Sequence, residues 1–166
     1  MRYLALCFFP LMIAAALLVA PPAQAQPAKD IVGTWRFVVN ETTGADGTKV
    51  NTYGLNPKGV MMFDSGGRFV LFIANPERPK FSSGSRLQGT PDEYKAAVHG
   101  AIAYYGKYSI DDAGKILTLE LEASTFPNWD GVVQKRPFTI TGDELRFTNS
   151  GGSSGGSVLA VLKRLN

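Results

Sequence analysis

The side chains able to do chemistry in this sequence are few. His99 is the only histidine, so no site can place two imidazoles of one chain on a metal, and any imidazole proton transfer falls to this residue. It lies beside, not at the centre of, an apolar stripe with helical spacing. A partly exposed surface position is the default there, and a general base at a cavity mouth is the functional alternative. Gly152-Ser153-Ser154-Gly155-Gly156 has the G-x-S-x-G spelling of a nucleophile elbow. That device needs a strand-to-helix turn and a nearby His, whereas this stretch is a Gly/Ser-rich loop between two strand-like runs. Glu120 and Glu122 share one side of a strand whose other side carries Leu117, Leu119 and Leu121. With the leucines inward, both carboxylates are solvated, which is the favoured reading; in a ligand-filled interior a buried carboxylate would have a raised pKa. Gln134 and Arg136 alternate in the same way on the next strand. An inward Arg136 would pair with an acidic ligand or with Glu120. No catalytic residue is assigned and no metal site is expected.

The residues assigned to ligand binding are Phe126, Asn128, Trp129, Tyr105 and Arg136. Ser124 to Trp129 is the expected pocket rim, where Phe126 and Trp129 supply apolar area, Asn128 a donor and an acceptor, and Pro127 stiffness. The same segment reads equally well as a plug packed on the helix. Tyr104, Tyr105 and Tyr108 follow that helix; core filling is the favoured role for them, and a phenol bonded to a ligand the alternative.

These groups must be positioned by strands. Apolar, β-branched and aromatic runs recur between turn residues, which predicts an all-β domain. The runs are Gly33 to Asn40, Gly59 to Phe63, Arg68 to Ile73, Tyr104 to Ile110, Lys115 to Ala123, Val132 to Ile140, Glu144 to Thr148 and Ser157 to Leu165. Tight turns are expected at Asp64 to Gly67, Asp111 to Gly114 and Thr141 to Asp143, and Pro137 marks an edge or a bulge. Ala74 to Gly89 is rich in Pro, Ser and Gly and reads as a long loop. Thr90-Pro91-Asp92-Glu93 then forms a capping box, opening a helix expected to reach about Ala103 with Tyr94, Val98, Ala101 and Ile102 on one face. Eight antiparallel strands can close a barrel around one small ligand; a two-sheet sandwich fits the pattern nearly as well.

The N-terminus sets an expectation about compartment. Arg2, an uncharged run from Leu4 to Ala20 broken only by Pro10, and Ala23-Gln24-Ala25 have the layout of a signal peptide cleaved after Ala25. The expected organisation is a signal peptide over 1–25, a linker over 26–30 and one domain over 31–166, secreted or periplasmic, with no stable membrane insertion after cleavage. A retained anchor is the alternative. Cys7, the single cysteine, falls in the expected leader, so the domain is left without a disulfide or thiolate. Asn40-Glu41-Thr42 is a glycosylation sequon, relevant only in a eukaryotic secretory pathway. Lys plus Arg number 17 against 14 Asp plus Glu, with no block of like charge, which argues against a nucleic-acid surface.

Gly33-Thr34-Trp35 resembles the G-x-W opening of lipocalins and related calycin barrels. Val32 to Trp35, Tyr53 to Gly59, Asp64 to Phe69, Arg78-Pro79 before Phe81, Thr90 to Tyr94, Tyr105 to Tyr108 and Ser124 to Trp129 are together similar, in order and spacing, to the bacterial and fungal lipocalin-like domain family. The resemblance implies an all-β, eight-stranded antiparallel barrel with one mid-chain α-helix and a pocket at its open end. It also implies structural roles for Gly33, Trp35 and Arg164: a basic residue of the last strand, Arg164 first and Lys163 second, stacks on the indole and closes the base. Two departures from ordinary lipocalins, the mid-chain helix and the absence of cysteines from the domain, argue against carrying over retinoid or odorant ligands.

The expected function is an exported barrel that binds a small, mostly apolar molecule, without a cofactor. The rival is a cofactor-free isomerase, cyclase or hydrolase using the same cavity, with His99, a Glu or a Tyr as acid or base. A third reading is a structural or stress-related envelope domain with a filled interior.

Overall fold

The computed structural model describes residues 29–111 and 115–165. The expected leader over 1–25, most of the 26–30 linker and the centre of the Asp111 to Gly114 turn lie outside the described residues. Nine strands form one antiparallel sheet: β1 (Gly33–Thr43), β2 (Lys49–Asn51), β3 (Lys58–Phe63), β4 (Arg68–Ala74), β5 (Ala101–Asp111), β6 (Ile116–Ser124), β7 (Val133–Thr141), β8 (Glu144–Asn149) and β9 (Ser157–Leu165). Neighbours run β1-β3-β4-β5-β6-β7-β8-β9, and β9 pairs back onto β1. That last pairing closes an eight-stranded barrel and decides against the sandwich. Short β2 is an extra flap on the far half of β1.

Up-and-down connectivity sorts the loops by end. At the base, β3 turns into β4, β5 into β6 and β7 into β8 through short connections. At the mouth lie the β1–β2 turn, the long stretch from 75 to 90, helix α1 (Pro91–His99), the β6–β7 connection with its single 3-10 turn (Pro127–Trp129), and the Gly/Ser loop before β9. Every long connection is therefore at one end, which is where a binding rim belongs.

The base is sealed by Trp35, which is 0% exposed. Its indole N–H donates to the Ile31 carbonyl at 2.8 Å, and the Arg164 guanidinium lies 4.1 Å from the ring centroid. Arg164 also donates to the carbonyls of Val32, at 2.9 Å, and Asp30. Gly33 makes this approach possible: its φ is +133°, and a Cβ there would stand 3.0 Å from the guanidinium. Arg164, not Lys163, takes the stacking position.

Period-two alternation sends Leu117, Leu119 and Leu121 inward and leaves Glu120 and Glu122 outside. Strand β1 breaks that period. Its register to β9 shifts between Phe37 and Val39, so Trp35 and Phe37 point inward on one parity, and Asn40 and Thr42 on the other. A bulge does this by adding one residue to one strand. The sequon residue Asn40 is consequently buried.

Three expectations are corrected. The helix stops at His99, capped by Gly100; Ala101 and Ile102 already pair with β4 as part of β5. Tyr94 and Val98 do not face the core, because the helix stands at the mouth with none of its residues buried. Tyr94 instead packs edge-on against Phe81, centroids 5.6 Å apart, while the Gly89 N–H donates to its hydroxyl at 2.8 Å. Pro137 marks neither an edge nor a bulge. It is the last β7 residue paired with β6, and pairing with β8 begins at Phe138, so its missing N–H falls where one ladder hands over to the next.

The capping box forms with Thr90 as N-cap. Glu93 also accepts from the N–H and hydroxyl of Ser82, tying the long loop to the helix. The Ser82 hydroxyl, then the N–H groups of Ser82 and Thr90, hold its carboxyl down at about 2.

Candidate functional site

The barrel interior is filled near the base and hollow near the mouth. A cavity of about 40 Å³ lies among Phe37, Ile73, Tyr104, Trp129, Arg136 and Phe147. At one water per roughly 10–15 Å³ of such volume, it has room for a few waters or one small polar group. Thr52, Tyr53, Ile102 and Ser153 line both this cavity and a wide solvent-open cup of about 930 Å³. The cup wall is mixed: Val50, Val98, Ile102 and Phe126 alternate with Thr48, Thr125, His99 and Ser154.

Arg136 dominates the deep cavity. It is 1% exposed, with its guanidinium 4.9 Å from the Phe147 ring centroid and 5.6 Å from that of Tyr104. One terminal nitrogen donates to the Tyr104 hydroxyl at 2.9 Å and to Gln134 Oε1 at 2.5 Å. Asn149 Nδ2 reaches the same Gln134 oxygen at 3.5 Å. Nε is buried with no partner. Gln134 and Arg136 point inward because they alternate with exposed Val133, Lys135 and Pro137.

The rim residues divide. Trp129 lines the deep cavity and Phe126 the cup; the two rings meet edge-on at 5.6 Å, and Trp129 meets Tyr104 likewise at 5.5 Å. Asn128 is exposed and lines neither space. Tyr105 is corrected outright: at 48% exposed it faces solvent, because strand parity turns its neighbour Tyr104 inward. Tyr108 fills the base instead, donating to the Asp64 carbonyl at 2.7 Å. Glu120 cannot answer Arg136, since it lies on the outer face. Among the described residues no Asp or Glu forms an ion pair with Arg136.

Sequence reasoning missed Tyr53 and the polar pair Asn40 and Thr42. The first lies outside any strand-like run, and the other two are brought inward by the β1 bulge. Tyr53 is buried between the two spaces. Burial pushes its phenol up to about 12, with the Ser153 hydroxyl pulling the other way. The folded state thus keeps a proton that the unfolded chain loses near pH 10, so the contribution is complete below pH 10 and vanishes as pH rises to about 12. Unfolding free energy should fall by about 2–3 kcal/mol across that window from this group. In urea titrations at a series of pH values, Tyr53→Phe should show a correspondingly shallower decline; equal slopes would disprove the assignment.

His99 lines the exposed rim of the cup and makes no side-chain hydrogen bond or ion pair among the described residues. The Ser153-Ser154 loop joins two strands, so the elbow geometry is absent. No group of three His, Cys, Asp or Glu residues among those described could hold a metal, and no described helix is long and apolar enough to cross a membrane.

A closed antiparallel barrel, sealed at the base by an Arg–Trp stack and hollow only at the opposite end, is the architecture of a calyx. Residues 32–162 match the lipocalin-like domain family model. The chain belongs to that family. It is also 29% identical over 82 residues, 46% of this chain and 74% of the other, to the 4'-hydroxy-3'-methoxypropiophenone carrier protein ppsC of Aspergillus oryzae. A crystal structure of a lipocalin-like protein from Bacteroides uniformis aligns over 82% of this chain and 99% of its own, with 14% identity and a TM-score of 0.44.

Proposed function

We propose that this chain is an exported carrier that holds one small, mostly apolar molecule in the mouth of its barrel. The observation that carries this reading is the pairing of an aromatic-walled deep cavity with a wide open cup, lined in part by Val50, Val98, Ile102 and Phe126, at the same end of a closed barrel. Apolar surface on the ligand gains by leaving water for such a space. The relative named as a carrier of an aryl ketone supports it, as does the absence of a base–nucleophile pair among the described residues. Export rests on the leader pattern over 1–25, with a secreted or periplasmic domain starting at Gln26 and no stable membrane insertion.

The test is mass spectrometry of protein taken from its native compartment, native for ligand and denaturing for the chain. The expected result is a polypeptide beginning at Gln26 that carries one unaltered small molecule. An empty barrel that also fails to bind any aromatic probe would refute the carrier reading, and a bound product made by the protein from an added compound would replace it with the enzyme. An uncleaved chain would refute export alone.

A further inference from the structure

Arg136 poses a physical problem that the folded chain by itself does not solve. A guanidinium stays charged at any pH a protein survives. Burying it without a counter-charge is costly, and proteins normally pair such groups. The described carboxylates near this part of the sheet are outside the barrel: Glu122 pairs with Arg68 at 2.8 Å, and Glu120 is exposed. Around Arg136 stand the Phe147 ring, the Tyr104 phenol and the Gln134 amide, all neutral.

The missing charge has a place to sit. Arg136 and Tyr104 both line the deep cavity, and the buried, unpartnered Nε of Arg136 shows that the fold does not answer all of the guanidinium's donors. Because the Tyr104 oxygen accepts from Arg136, its own O–H remains available as a second donor, and it donates to no group among the described residues. An ionised carboxylate is acceptor-only and matches a donor pair of this kind. Its three heavy atoms also suit a cavity of about 40 Å³, with a larger body left to extend past Tyr53 and Ile102, which line both spaces, into the cup.

We propose that the ligand is an aromatic or otherwise apolar acid, bound head-first with its carboxylate on Arg136 and Tyr104. This rests on the carrier reading and specifies the chemistry of what is carried. Charge selection operates in the deep cavity and size selection in the cup.

The test compares 2-naphthoic acid with its methyl ester, which shares the ring system but has no charge, by calorimetry on the wild-type protein at neutral pH. The acid should bind at least about tenfold tighter. Arg136→Met should abolish the preference of the protein for the acid over the ester, and Tyr104→Phe should weaken acid binding by a smaller factor in the same direction. The wild-type comparison stands even if a variant fails to fold. Equal or tighter binding of the ester would overturn the anion claim and leave the carrier reading intact; binding of neither probe would count against both.

Discussion

Trp35→Ala should cost about 4–5 kcal/mol of folding stability, a large share of the margin of an ordinary domain. Three losses coincide at that position. The indole is fully buried at the base, its N–H satisfies the Ile31 carbonyl, and its face supports Arg164. The alanine variant leaves a cavity, an unanswered carbonyl and a guanidinium held only by the backbone of Asp30 and Val32. Trp35→Phe keeps part of the apolar area and should lose about 1–2 kcal/mol. Urea unfolding followed by far-ultraviolet circular dichroism measures both, and fluorescence of Trp129, the other tryptophan, reports on the mouth separately. A loss under about 1 kcal/mol for the alanine variant would mean that the base is not held in this way.

Gly106→Ala should be as damaging, although it adds only a methyl group. Gly106 lies on β5, where pairing with β6 slips by one residue between Tyr105 and Gly106. The two backbones come so close there that a Cβ would lie 1.9 Å from the Glu120 carbonyl oxygen and 3.0 Å from the Glu122 nitrogen. Neither atom can swing away as a side chain would, so the ladder must separate, losing hydrogen bonds at about 1 kcal/mol each along with packing of the adjacent leucines. A loss of about 3 kcal/mol or more is expected, or failure to fold. A matched substitution at Gly151, where a Cβ would meet nothing within 4 Å, should change stability by less than about 1 kcal/mol. Equal effects at the two positions would contradict the close approach.

Much of this architecture was legible from residue order. Alternation in Leu117 to Glu122 told which side was apolar, and Thr90-Pro91-Asp92-Glu93 announced a helix start found as read. The helix end was misjudged because Ala101, Ile102 and Ala103 suit a helix locally, yet they complete the ladder to β4. Tertiary pairing outweighed propensity there. The Gly33, Trp35 and Arg164 cluster followed from family resemblance, since nothing local connects residues 35 and 164.

The candidate site was less legible. Trp129 and Arg136 come together at the deep cavity with Phe126 at the cup, while Tyr105 and Asn128 fall on the outside. Strand period says that neighbours alternate but not which parity faces in, and one bulge inverts the answer. That inversion in β1 brought in Asn40 and Thr42.

Sequence alone determined the all-β class, the number of barrel strands, the helix start and the apolar faces, because each is set by local patterning over a few residues. Tertiary structure decided closure through the β1–β9 ladder, the parity of each strand and the isolation of Arg136 from every described carboxylate. Those features depend on how distant strands register against one another, and register is a property of the assembled sheet.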